Sequence, residues 1–219
     1  MTAPALIGAA RIGPARRLLA ALALGLLGAC SASEPASFYL LTPEGATAPP
    51  LAAGPASGPS LFVDEATLAP YLDRAQLVSR IAPDRVAFAD LRLWAEPLPA
   101  MASGFVVDRL AARFGPERVQ ATPARRAFDP DFRLLIDVRR LDGNQAGEMV
   151  LDARWTLVTG ADERLVATGR ERIVAPAADP ASWDARVAAL REAWTVFSDR
   201  VADAVATAWA GRQARRPAA

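Results

Sequence analysis

The 219-residue chain has no histidine, no lysine and a single cysteine, Cys30. These gaps remove whole classes of chemistry. Nucleophile systems that pair serine or cysteine with histidine, or serine with lysine, are ruled out. So are zinc sites built from histidine and cysteine, and a disulfide within one chain. Only carboxylate chemistry is left for an enzyme, of the kind used in glycoside hydrolysis or magnesium-assisted reactions. The acids mostly alternate with arginines along the chain, which is the pattern of solvated faces, and a lone carboxylate is weak ground for acid–base work. Neither sign of charge is in excess: 25 basic residues, all arginine, stand against 24 acids. The basic surplus expected of a nucleic-acid binder is missing.

What is present begins at the N-terminus. Arg11, Arg16 and Arg17 precede the apolar run Leu18 to Leu26, and Leu27-Gly28-Ala29-Cys30 follows. A basic start, a short apolar core and small residues at its end read as a secretory signal. The core is shorter than the ~20 residues a permanent membrane helix needs. An ordinary signal peptide or a short buried helix would fit the apolar run as well. The lone cysteine at its end favours a third reading, since small residues before a cysteine resemble the lipobox of bacterial lipoproteins. That resemblance implies cleavage before Cys30 and acylation of its thiol and new amine. Removal of residues 1–29 leaves 190 residues with 22 basic against 24 acidic groups, enough for one domain with a sizeable core.

Behind Cys30, residues 31–36 are small and polar, a tether, and Ser37 to Leu41 reads as a short strand. Thr42 to Ser60 holds five prolines and three glycines, the composition of an extended loop or linker. If the short strand docks, the tether is short; if it is loose, about 30 residues connect lipid to body. Leu61-Phe62-Val63 is a second strand, Thr67 to Asp73 a turn or single helical turn, and Gln76 to Ile81 and Arg85 to Trp94 are strands joined around Pro83-Asp84. Pro99 fits the first turn of a helix, whose stripe is Met101, Phe105, Val106, Leu110 and Phe114. Gly115-Pro116 predicts a left-handed cap and a stop.

A meander follows. Phe132, Leu134, Ile136 and Val138 alternate with polar neighbours, as do Leu151, Ala153, Trp155 and Leu157, so one face meets a core and the other mostly water. Leu141-Asp142-Gly143-Asn144 reads as a turn, as does Gly160-Ala161-Asp162, which leads into a strand from about Arg164 to Val174. Asp179 is the expected cap of a last helix with Trp183, Val187, Leu190, Trp194, Phe197, Val201 and Val205 at steps of four and three. Arg212, Arg215 and Arg216 form a solvated basic end that complements the helix dipole. The expected class is α+β: an antiparallel-rich sheet with two main helices packed on one face. The expected organisation is a signal over 1–29, a lipidated N-terminus with strand and linker over 30–60, one domain over 61–212, and a basic tail over 213–219.

Two segments go beyond pattern. One runs Leu68-Ala69-Pro70-Tyr71-Leu72-Asp73-Arg74-Ala75-Gln76-Leu77-Val78-Ser79-Arg80; the other is Trp94-Ala95-Glu96-Pro97-Leu98. Together they resemble the PqiC/YmbA family, auxiliary lipoproteins of ABC-type and MCE-type lipid transport systems. Ala75 stands where that family has proline, and Leu93 where an arginine is frequent. Ser37 to Leu41 is similar to its aromatic start, and Leu151 to Leu157 to its "Leu-x-Ala-x-Trp-x-Leu" strand. The resemblance implies a non-enzymatic lipoprotein on the periplasmic face of the outer membrane, held by covalent lipid on Cys30 and needing no other cofactor. Ser31, in place of an aspartate, agrees with the outer-membrane address. It implies an MCE-domain protein and membrane transporter components as partners, and a ring-shaped partner is compatible with a homo-oligomer. A lipid carrier in its own right and a barrel-associated plug or chaperone are the alternatives.

The motif residues Tyr71, Leu72, Asp73, Arg74, Gln76, Trp94 and Glu96 admit two readings. They are internal scaffold, or they form a docking edge. Asp73 and Arg74 suit a tight charged turn, with Asp73 accepting backbone hydrogen bonds. Gln76 suits backbone satisfaction, Tyr71 a core or an interface, and Trp94 a core. Glu96 before Pro97 suits a helix cap or an arginine partner.

Overall fold

The computed structural model describes residues 34–43, 58–122 and 129–215. The chain divides into two units, Met1–Pro35 and Ala36–Ala219. Cys30, the signal, most of the proline-rich stretch and Arg216 lie outside the described residues. No described helix is long and apolar enough to cross a membrane.

Among the described residues, nine strands and two α-helices make up the second unit. In chain order they are β1 (Ser37–Tyr39), β2 (Leu61–Val63), β3 (Thr67–Leu68), β4 (Gln76–Ala82), β5 (Arg85–Trp94), α1 (Leu98–Phe114), β6 (Val119–Ala121), β7 (Phe132–Gly143), β8 (Glu148–Thr159), β9 (Leu165–Pro176) and α2 (Trp183–Ala214). The fold is α+β, but the expected antiparallel-rich sheet is corrected to a mixed one. The β4–β5 hairpin and the β7–β8–β9 meander are antiparallel. Five other pairings, β1–β5, β2–β6, β2–β7, β3–β7 and β4–β7, are parallel. The reason is topological. One edge of β7 is shared end to end by β2, β3 and β4, which all run in its own direction, and parallel neighbours need the longer crossovers that α1 and the loops supply.

The strand Ser37–Tyr39 docks on Arg92–Trp94, which decides the open question of the tether: the body starts at Ala36. Thr67-Leu68, expected as a turn, is a two-residue strand on Asp137-Val138. Helix α1 forms as its stripe predicts. Pro99 sits in its first turn, and Met101, Phe105, Val106, Leu110 and Phe114 are buried. Ser103 is also buried; its hydroxyl donates to the Pro99 carbonyl at 2.8 Å and accepts from the Ala66 N–H at 2.8 Å, so the β2–β3 connection is pinned to the helix. Gly115 follows with φ 103° and ψ 140°, a positive φ outside the left-handed helical region, so the expected left-handed cap is corrected to an extended glycine exit. Its N–H still donates to the Ala111 carbonyl at 2.9 Å.

The long helix α2 starts three residues later than expected. Ser182, not Asp179, is its cap and accepts from the Ala185 N–H at 3.3 Å; Asp179 closes the preceding turn on the Ala181 N–H at 2.9 Å. Its stripe from Val187 to Val205 is buried and Trp183 is half-buried. Trp194 meets Phe197 edge-on at 5.3 Å and Phe105 of α1 at 6.4 Å, so the two helices share one core. Arg109–Asp199 at 2.7 Å and Arg113–Asp203 at 2.6 Å fasten their exposed margin. Arg212 is not a free tail residue: its guanidinium donates to the Asp131 carbonyl at 3.1 Å and lies over Phe132 and Trp209.

The register of β7 carries one decisive irregularity. Phe132, Leu134, Ile136 and Val138 face the helices and are buried. A bulge between Val138 and Arg140 then reverses the alternation. Leu141 pairs with Leu151 on the core side, while Arg140 pairs with Asp152 and Asp142 with Val150 on the far side. Asp142, expected in a turn, is therefore a strand residue, and the turn proper is Asn144 to Gly147.

Candidate functional site

The bulge in β7 creates the site. The segment after β3 crosses it: the Ala69 N–H donates to the Val138 carbonyl at 2.9 Å, and residues 70–75 turn back into β4. This crossing lays Tyr71 over the bulge. Its hydroxyl donates to Asp142 Oδ2 at 3.1 Å, with the Arg139 carbonyl 3.4 Å away. Arg80 grips the same carboxylate with two nitrogens, Nε to Oδ1 at 3.3 Å and Nη2 to Oδ2 at 2.9 Å. Arg140 adds Nε to Oδ1 at 2.7 Å.

The Asp142 side chain has 0% of its surface exposed, against 20% for Arg80 and 21% for Arg140. A carboxylate this deep needs a full set of donors, and here both oxygens are engaged. Burial first, and then the Asp142 charge and hydrogen bond, push the Tyr71 phenol up to about 12, with Arg80 opposing. The phenol therefore stays protonated near neutrality, and the Asp142 carboxyl has both oxygens occupied by donors. The chemistry of the cluster is structural: it clamps the 70–75 turn onto the sheet.

That turn then meets the second motif. The Trp94 N–H donates to the Ala75 carbonyl at 2.7 Å, and Gln76 pairs with Leu93. Trp94 and Leu72 are buried and belong to the core. Arg74 donates from Nε to the Tyr71 carbonyl at 3.0 Å and stacks its guanidinium 3.8 Å from the Phe88 ring centre, a cation–π contact that fixes its direction. Asp73, Arg74, Ala75, Trp94, Ala95, Glu96 and Pro97, with Leu98, line one open groove of about 390 Å³.

The two motif segments, some twenty residues apart in sequence, thus form adjoining walls. Asp73 and Glu96, one from each segment, are both exposed in the lining of the groove. Glu96 does not cap α1, whose cap position is Pro97 without a side-chain hydrogen bond. Among the described residues, Asp73 and Glu96 have no hydrogen-bonded or ion-pair partner. Gln76 is half-buried at the start of β4.

Sequence reasoning missed Asp142, Arg80 and Arg140 as the centre of this arrangement. The available signal was the break in alternation at Arg139-Arg140-Leu141, where two arginines in succession cannot both follow a period of two. A second buried acid, Asp152, lies on the same far face of the sheet, held by Arg170 at 2.9 and 2.7 Å. Its carboxyl is kept below the usual carboxylate range by that hydrogen-bonded pair, and further by the charges of Arg170, Arg172 and Arg139. Among the described residues no group of three or more His, Cys, Asp or Glu side chains could hold a metal ion.

Known proteins bear on this geometry. Protein XCC0632 from Xanthomonas campestris has a similar structure, with a TM-score of 0.62 and 22% identity over 81% of this chain and 98% of its own. A second solved protein, described only as uncharacterized, also has a TM-score of 0.62, with 19% identity over 78% of this chain and 98% of its own. At these identities the likeness shows the fold. No curated protein sequence matches the chain. A family model described as "ABC-type transport auxiliary lipoprotein component" matches residues 39–202, a span from the docked first strand into the last helix that includes both motif walls and the clamp, and the chain therefore belongs to that family of auxiliary transport lipoproteins.

Proposed function

We propose that this protein is a non-enzymatic component of an MCE/ABC-type lipid transport system, acylated on Cys30 and held at the periplasmic face of the outer membrane. The observation that carries this reading is the family match over residues 39–202, together with the convergence of its two motif segments on one exposed groove. The groove offers carboxylates at Asp73 and Glu96, and its walls are stiffened from behind by the Tyr71–Arg80–Asp142–Arg140 cluster. A surface of this kind suits docking: the exposed groups are free to meet a partner, and the elements that position them cannot drift.

The body then acts as a seat. It holds an MCE-domain protein, or a membrane component of the same transporter, at the end of its path, and any energy is spent by another subunit. Acyl chains on Cys30 contribute ~0.8 kcal/mol per buried CH₂, so several chains hold the body at the membrane on a cellular timescale.

Two experiments test this. Cys30→Ser in cells is expected to release the protein from outer-membrane fractions; if the variant still floats with them, the anchoring reading fails. A photo-crosslinking residue at Asp73 or Glu96 is expected to capture an MCE-domain protein or a transporter subunit, and the same residue at exposed Asp129 is not. Equal capture from both positions, or none under mild conditions, overturns the docking reading.

A further inference from the structure

Seven large apolar side chains of the described residues are exposed, and three of them gather at one place. Phe88 lies under Arg74, while Leu135 is on β7 and Leu165 and Val174 are near opposite ends of β9. Phe38, Leu40 and Leu91 are 65%, 48% and 37% exposed at the β1–β5 edge of the sheet. Register explains the grouping. Phe38 pairs with Leu93, and Leu40, two residues on and just past the end of β1, stands on the same side as Phe38; Leu91 lies one residue before the paired Arg92 at the same edge. The alternate residues Tyr39 and Leu41 turn to the core. An edge strand with one solvated face is expected to be polar on that face, whereas here both faces are apolar.

Resting on the reading that Cys30 is acylated, we infer that the Phe38–Leu40–Leu91 edge lies on the phospholipid leaflet that holds the acyl chains, as a second contact that orients the body on the membrane. Chain length selects this partner. Phe38 lies eight positions beyond Cys30; fully stretched, that length of chain spans at most ~28 Å, and as a coil typically ~16 Å. Once the sulfur is in hydrocarbon, the edge cannot leave the neighbourhood of the headgroups, so its effective concentration there is high and weak apolar contacts suffice. A protein partner has no such help. The three side chains offer roughly 300 Å², well short of the ~800 Å² per partner that a stable protein interface buries.

The test uses the full lipidated protein in vesicles of phosphatidylethanolamine and phosphatidylglycerol with brominated acyl chains. Because acylation consumes the natural thiol, Phe38→Cys and Val174→Cys each carry one free thiol for a bimane label. The label at 38 is expected to be quenched at least twofold more than the label at 174. Leu40→Cys repeats the measurement should Phe38→Cys lose its fold by circular dichroism. Equal quenching at both sites, or disulfide-linked pairs through position 38 with no quenching, overturns this inference alone while lipidated Cys30 stands. An unmodified sulfur at Cys30 by intact mass overturns the anchoring reading, and the inference with it.

Discussion

Replacing Arg80 with methionine tests the central claim, that the motif turn is clamped by a buried acid. Asp142 is wholly buried and depends on donors from Arg80, Arg140 and Tyr71. Methionine keeps much of the arginine stem and removes both guanidinium bonds. Complete loss of compensation for a buried charge costs ~3–5 kcal/mol. Arg140 and Tyr71 remain in this variant, so the expected loss is ~2–3 kcal/mol, or roughly 4–12 °C in Tm for a domain of this size. Removing the acid as well, as Arg80→Met with Asp142→Leu, is expected to recover at least ~1 kcal/mol. Arg140 is partly exposed and can turn to water, whereas the carboxylate could not. The assay is urea unfolding followed by tryptophan fluorescence, with the four variants of the cycle compared at equal m-value. An Arg80→Met midpoint within error of wild type, or a double variant no better than the single one, refutes the clamp.

Three further outcomes are expected. Tyr71→Phe deletes one bond to a charged acceptor and should cost ~1–2 kcal/mol by the same assay; because the folded phenol is held up to about 12 against ~10 unfolded, wild-type stability should also fall as pH rises from 10 to 12, and the variant should show a shallower slope. Arg170→Met removes the main cause of the lowered Asp152 value. A depressed carboxylate stabilises above its unfolded value of ~3.9 and loses that contribution as pH falls through the folded value, so the variant should be weaker at pH 7 and its deficit in urea midpoint should shrink as pH falls below ~3.9. Gly169→Val places a Cβ 2.6 Å from the Trp155 ring and should lower stability by ~1–3 kcal/mol, read as a drop in Tm; an unchanged Tm would show that the ring can shift aside.

Local pattern carried much of this protein. The periods of Phe132 to Val138 and Leu151 to Leu157, the stripe of α1 and that of α2 each follow from which residues must leave water, and all four are visible without coordinates. The absence of histidine and lysine, and the two motifs with their family resemblance, were equally legible. Parallel pairing was not, because nothing in Leu61-Phe62-Val63 or Thr67-Leu68 states which strand they will meet; that depends on how crossovers pack across the sheet. Nor was the role of Asp142. In the sequence it stands in a Leu-Asp-Gly-Asn turn signal, and only a one-residue bulge at Arg139 turns it to the far face, where Tyr71, Arg80 and Arg140 converge. Residue type and spacing determined which elements form and which chemistry is ruled out. The tertiary structure decided that Asp73 and Glu96 face one groove, because that proximity arises from hydrogen bonds between distant segments, and local sequence does not encode them.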